Sequence, residues 1–270
     1  MIKKAAFLVM VCSLVIVSGM AVYPRPVMAA EKVVWQEVKS EHFIIKHQGV
    51  PSSFVKEVVS AAEAHYRQTM STLGFTRYKG WTWAERVKIS IYNSRQDYVA
   101  SAHNTWSGGQ VNPATKEIVT FPSENGFFDS ILPHELGHII FREAAGFNEN
   151  IPLWLDEGVA MYQERAKGIG ADGSVKELIK AGSYIPLAEL DSMALGAKTD
   201  RAVVDAFYNE SASLVGFLIK KYEVYRFERL CHELQKGRPF IVALKKSYMQ
   251  FEGLGDLEKA WRKYLNETNK

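Results

Sequence analysis

Apolar and polar positions alternate along the first half of the chain and recur at helical spacing along the second. Residues 33–38 and 42–47 read as two short strands with a turn at Ser40-Glu41. Phe54, Val55, Val58, Val59, Ala62, Met70 and Leu73 recur at three and four, which predicts an amphipathic helix over 51–73, closed by Gly74. Val87, Ile89 and Ile91 alternate strictly and predict a strand over 87–92. A short helix over 94–101 follows. Gly108-Gly109 and Asn112-Pro113 then mark turns ahead of a strand over 116–121. From Ile131 the period changes. Ile131, Leu132, Leu136, Ile139, Ile140 and Phe141 cover nearly all sides of one helix, which predicts burial. Asp129 or Ser130 is its expected N-cap, Pro133 falls in its first turn and Gly146 is its stop. A second helix begins near Ile151-Pro152. Residues 168–173 read as a flexible glycine turn, 176–181 as a helical piece, and Ile185, Leu187 and Leu190 as a connection packed on the body. Helices over 202–222, 226–235, 240–250 and 254–265 complete the chain. The expected class is α+β: a mixed-sheet part over 30–128 and an all-helical part over 129–270.

The ends and the charge refine this. Lys3 and Lys4 precede an uncharged apolar run from Ala5 to about Val22, broken by Pro24 and Pro26 and followed by Val27-Met28-Ala29. That order predicts a signal peptide over 1–29, or a membrane anchor if it stays uncleaved; either places the body outside the cytoplasm. Of the 33 basic residues, Lys3, Lys4 and Arg25 lie in this leader, leaving 30 against 30 acidic ones. A near-neutral body argues against an electrostatic nucleic-acid binder. Cys12 sits in the leader, so Cys231 alone remains and no internal disulfide is expected.

Candidate chemistry centres on His134-Glu135-Leu136-Gly137-His138, which spells H-E-x-x-H. On a helix, residues i and i+4 share a face, so His134 and His138 can point two imidazoles at one Zn²⁺ with Glu135 beside it as a general base. A catalytic zinc needs a third protein ligand and one open position. Glu157 stands eighteen residues beyond His138, which suits a helix packed on the first. Glu143 is too near and off the histidine face. Asp156 is the rival; Gly158, which would let the two helix backbones approach, favours Glu157. No orienting partner for the histidines is evident. Tyr78, Trp81 and Trp83 suit a sheet cover or a glycan platform, and His103 and Trp106 could line a cleft.

H-E-x-x-H, eighteen residues, then Glu157 in a W-L-x-E-G-x-A setting resembles the gluzincin zinc metallopeptidases, which include thermolysin-like enzymes and zinc aminopeptidases. The small bacterial peptidase MA-like domains resemble it more closely. That likeness takes in Ser40-Glu41-His42-Phe43-Ile44-Ile45, Gly108-Gly109, the stretch from Tyr208 to Val215, and the last helix with Trp261 and Tyr264. The resemblance implies a zincin-like fold with the metal helix at the seam of its two parts. It also implies one Zn²⁺ on His134, His138 and Glu157, Glu135 as base, and peptide or protein substrates. An edge strand within 103–122 would pair with extended substrate, and Tyr208 would meet the oxyanion. Tyr162 is the other tyrosine considered. Thermolysin-like enzymes carry an Asp four residues after the Glu ligand; Met161 stands there, so the orienter is open.

Overall fold

The computed structural model describes residues 34–75, 85–102, 108–122, 126–196 and 198–267. Its sheet has five strands: β1 (Gln36–Lys39), β2 (Phe43–His47), β3 (Val87–Ile91), β4 (Gly109–Asn112) and β5 (Glu117–Thr120), in the order β1-β2-β3-β5-β4. The two central pairings, β2 with β3 and β3 with β5, are parallel. The outer two are antiparallel. Parallel neighbours need crossovers, and the predicted helices supply them: α1 (Ser52–Thr72) and α2 (Arg95–Ala102). Val55, Val58, Ala62 and Tyr66 turn one face of α1 into the core. The first strand starts three residues later than its predicted 33 and exposes all four residues, as an edge strand can.

The helical part runs α3 (Leu132–Ala145), α4 (Leu153–Gln163), α5 (Arg165–Ala181), α6 (Leu187–Ser192), α7 (Arg201–Lys220), α8 (Val224–Gln235), α9 (Phe240–Ser247) and α10 (Leu254–Glu267). Three expectations are corrected here. Residues 168–173 are not a turn but lie inside α5. Ala171 and Val175 are buried, and Asp172 accepts the Ser213 hydroxyl at 2.7 Å, while Gly170 and Gly173 face open space. Packing against α7 outweighs the ~1 kcal/mol helix cost of each glycine. The start of α3 has no Asp129 or Ser130 cap: a π-helical turn, Phe127–Ile131, feeds straight into it from Gly126 at φ 79°. Gly146, at φ 90°, does end α3.

The third correction concerns Gly158. A Cβ there would stand 2.5 Å from the Ser211 carbonyl oxygen, so this glycine admits α7, not α3. Gly137 is the residue that brings α3 and α4 together, its missing Cβ falling 2.9 Å from Ala160 Cα. α4 is thus held between α3 and α7, and both backbones come close because each contact has a glycine.

α7 is long and apolar enough by composition to cross a membrane, yet most of it is buried in the core. It carries one ionisable group into that core. Glu210 is fully buried; Oε1 accepts the Ile185 amide at 2.8 Å, and Oε2 meets no partner among the described residues. Burial pushes its carboxyl up to about 8, the Ile185 amide opposing, with Glu258 and Glu189 adding repulsion. The folded chain then holds a proton that the unfolded chain loses above about 4.5. Stability therefore falls as pH rises between these values, by up to ~1.4 kcal/mol per pH unit, and levels off above the folded value. Glu210→Gln should remove this slope. The check is chemical denaturation from pH 5 to 9, read as the difference between variant and wild type; a difference independent of pH would refute it.

Candidate metal centre

α3 and α4 build the site. His134 and His138 lie one turn apart on α3, so their rings rise on one face; Glu157, in the second turn of α4, comes to meet them. His134 Nε2 and His138 Nε2 are 3.2 Å apart, and each is 3.6 Å from Glu157 Oε2. Donors held ~2.1 Å from one tetrahedral zinc ion stand ~3.4 Å from each other, so this trio fits such an ion. A second group of metal-capable residues, Glu41, His42 and Glu63, does not. There His42 Nδ1 is 2.7 Å from Glu63 Oε2, a hydrogen-bond length, and the other Glu63 oxygen accepts from Ser40 Oγ and the His42 amide.

The far ring nitrogens are held as well. His134 Nδ1 is 2.9 Å from Glu164 Oε1, and Glu164 also accepts the Ser130 hydroxyl. His138 Nδ1 is 3.0 Å from Asp156 Oδ1, whose other oxygen takes two N–H groups of Arg142. Carboxylates on both Nδ1 atoms leave both Nε2 lone pairs for a cation. Asp156 therefore sits on the opposite side of the His138 ring from the donor trio, and the structure brings Glu157 to the trio. Neither orienter was expected. Glu164 lies seven residues, two helical turns, beyond Glu157, and that spacing is the signal in the sequence that could have found it.

The electrostatics favour a cation. Burial works to lower the His134 pKa, but contacts with Glu157 and Glu164 and the charge of Glu135 outweigh it, and the value rises to about 10. A field that holds a proton so firmly also attracts a metal dication. Glu135 itself is pushed up by burial, with His134 and His138 pulling it back down and Glu157 and Glu164 pushing it up again.

Tyr208, on α7, shares with His134, Met161 and Glu164 a cavity of about 430 Å³, which Arg201, Asp205 and Asn209 of α7 also line. Burial, then the charges of Glu157, Glu135 and Glu164, push its hydroxyl up to about 12, so it keeps its proton at neutral pH. Tyr162 points elsewhere: its ring packs on Gly216, with Lys220 5.6 Å from the ring centroid. Glu143 pairs with Lys116, away from the histidines.

Within 103–122 the edge of the sheet is β4, a stretch expected to hold turns, while the predicted 116–121 strand, β5, lies one place inside it. A Cβ on Gly109 would stand 3.6 Å from Glu135 Oε1 and 2.7 Å from Ile131 Cγ2. The glycine lets the strand backbone close on Ile131, which leaves Glu135 next to the strand. His103, Trp106, Tyr78, Trp81 and Trp83 lie outside the described residues.

Comparison with solved structures gives this arrangement a context. Native yeast LTA4 hydrolase matches with a TM-score of 0.53 at 13% identity, over 82% of this chain and 37% of that one. An M1 zinc metallopeptidase from Deinococcus radiodurans matches with a TM-score of 0.46 at 17% identity, over 85% and 50%. The chain thus spans half or less of the length of these two structures, and the first likeness is one of fold. No curated protein sequence matches it. The family model described as Peptidase MA superfamily matches residues 69–267, which takes in α3, α4, α7 and the edge strand β4. With most of the sheet and every helix of the site inside that match, the chain belongs to the Peptidase MA superfamily.

Proposed function

We propose that the protein is an exported zinc-dependent peptidase. The observation that carries this reading is the convergence of His134 Nε2, His138 Nε2 and Glu157 Oε2, with the Glu135 carboxyl between them and the edge strand β4. His134, His138 and Glu157 would hold the ion. When bound, zinc supplies Lewis acidity, which lowers the pKa of a water toward ~7 and polarises a carbonyl.

The chain's own residues do the rest. Glu164 and Asp156 keep the two imidazoles aimed. An extended peptide would add to the edge of β4 that no described strand covers, where backbone pairing gives affinity without demanding a particular side chain. A peptide paired there would carry its scissile carbonyl past Glu135, which lies next to Gly109. Glu135 takes a proton from water as the water attacks, then passes it to the leaving amine. Its raised pKa suits both halves of that transfer. Export rests on Lys3, Lys4 and the apolar run after them; cleavage after Ala29 would leave a mature chain starting at Ala30, which N-terminal sequencing of the exported protein reads.

Tyr208 is the donor assigned to the oxyanion. It faces the same cavity as His134 and retains its proton, and a preorganised donor needs no reorganisation when charge develops. Tyr208→Phe removes only the hydroxyl. On a quenched peptide, kcat should fall on the order of 10²-fold, with KM and zinc content little changed. Wild-type turnover would make Tyr208 a packing residue.

A further inference from the structure

His134, His138 and Arg142 climb one face of α3 in two steps of four residues. The first two carry the metal donors. The third continues the same row onto the carboxylate that serves the second. We propose that Arg142 is a positioning residue for the metal centre, acting through Asp156 on His138; this rests on the metal reading above.

The geometry divides Asp156 between two partners. Arg142 Nε and Nη2 both donate to Oδ2, at 2.9 and 2.7 Å. Oδ1 is left for His138 Nδ1 at 3.0 Å. A carboxylate held at one oxygen by two N–H groups cannot turn about its own axis without breaking both. Its second oxygen is therefore a fixed acceptor. A fixed acceptor at Nδ1 selects the tautomer with the proton there and the lone pair on Nε2, the atom that faces His134 Nε2 and Glu157 Oε2. All three groups are largely shielded from water, so no solvent shell competes for the carboxylate. Asp156 in the first turn of α4 and Arg142 in the last turn of α3 also suit their helix ends.

Arg142 is itself seated. Its Nη1 donates to the Asn148 carbonyl at 3.4 Å, and Asn148 Nδ2 donates to the Leu234 carbonyl of α8 at 2.8 Å. The guanidinium thus ties the α3–α4 turn, and through it α8, to the orientation of one metal ligand.

The test uses full-length protein with Arg142→Met, Arg142→Lys, Asp156→Asn, and Arg142→Met combined with Asp156→Asn. Folding is followed by circular dichroism and Tm. Two readouts report on the centre: zinc Kd by chelator competition, and the ¹⁵N shifts of His138 in metal-free protein, followed with rising pH until the ring is neutral, where they report the tautomer. Arg142→Met should weaken zinc at least ~10-fold, in the range found for outer partners of metal ligands, and lower the share of the Nδ1–H tautomer. Arg142→Lys keeps the charge but not the paired N–H contact, so its Kd should fall between the two. In the Asp156→Asn background, Arg142→Met should add little, because both act on one path. The neutral pair also guards against unfolding from an unpaired buried carboxylate. Folded Arg142→Met with wild-type Kd and tautomer would overturn the proposal, as would full rescue by Lys. Wild-type protein without zinc affinity would instead sink the metal reading, and this proposal with it; tight wild-type binding matched by Arg142→Met sinks the proposal alone.

Discussion

Glu135→Gln should keep zinc and lose peptide hydrolysis, with kcat down on the order of 10³-fold, within the range for removing a general base. The substitution preserves the size and a hydrogen-bonding end of the side chain, so the fold and the contact beneath Gly109 remain. What it removes is a carboxylate whose proton affinity the site has raised. Burial is the largest influence on Glu135, and the repulsion of Glu157 and Glu164 works with it against the pull of His134 and His138. A glutamine can accept no proton at any pH near neutral. It should also leave the metal donors alone, because His134 and His138 keep their own carboxylates, Glu164 and Asp156. Turnover of a quenched peptide library alongside metal analysis checks both halves. Retained turnover would remove Glu135 from its role, and lost zinc would make it a ligand.

The second large effect is expected on the metal. His134→Ala, His138→Ala or Glu157→Ala each deletes one of three converging donors, and a site of two donors holds zinc poorly. The loss of affinity should far exceed the 10–100-fold typical of outer partners. Asp156→Ala belongs to that milder class: it frees His138 Nδ1 and leaves Arg142 without its carboxylate, but the donor trio stays whole. At saturating zinc, Asp156→Ala should therefore still bind about one ion per chain, while the ligand variants should not. Chelator competition orders the four variants. If Asp156→Ala proved as damaging as Glu157→Ala, the division between ligand and orienter drawn here would fail.

How much of this was readable from the residues depends on range. His134, Glu135 and His138 were legible because the four-residue step is a property of one helix. Glu157 was legible as a spacing, since eighteen residues suit the rest of α3, a turn and the start of α4. Glu164 was not read: its seven-residue step from Glu157 marks the right face, but its use also depends on α4 lying along α3 so that both its ends reach a histidine. Gly158 shows the same limit. A glycine signals close approach but not the partner, and the partner is Ser211 on α7 rather than α3. Four of the five strands were legible; β4 was read as turns, because its glycines and Asn112-Pro113 hide a short strand. Which strand takes the edge follows from β4 turning back over α3, a long-range outcome of Gly108 and Gly109 fitting against Ile131. Residues 168–173 misled for the opposite reason: three glycines suggest a turn until Ala171 and Val175 find α7 to pack on.

The central claim is that His134, His138 and Glu157 share one zinc ion. X-ray absorption at the zinc edge of the purified protein tests it most directly, with the His134→Ala/His138→Ala double variant as control. The account expects about one zinc per chain, a ligand set of two imidazole nitrogens with oxygen donors and no sulfur, and loss of that signal in the double variant. Zinc retained by the double variant with an unchanged spectrum would contradict it.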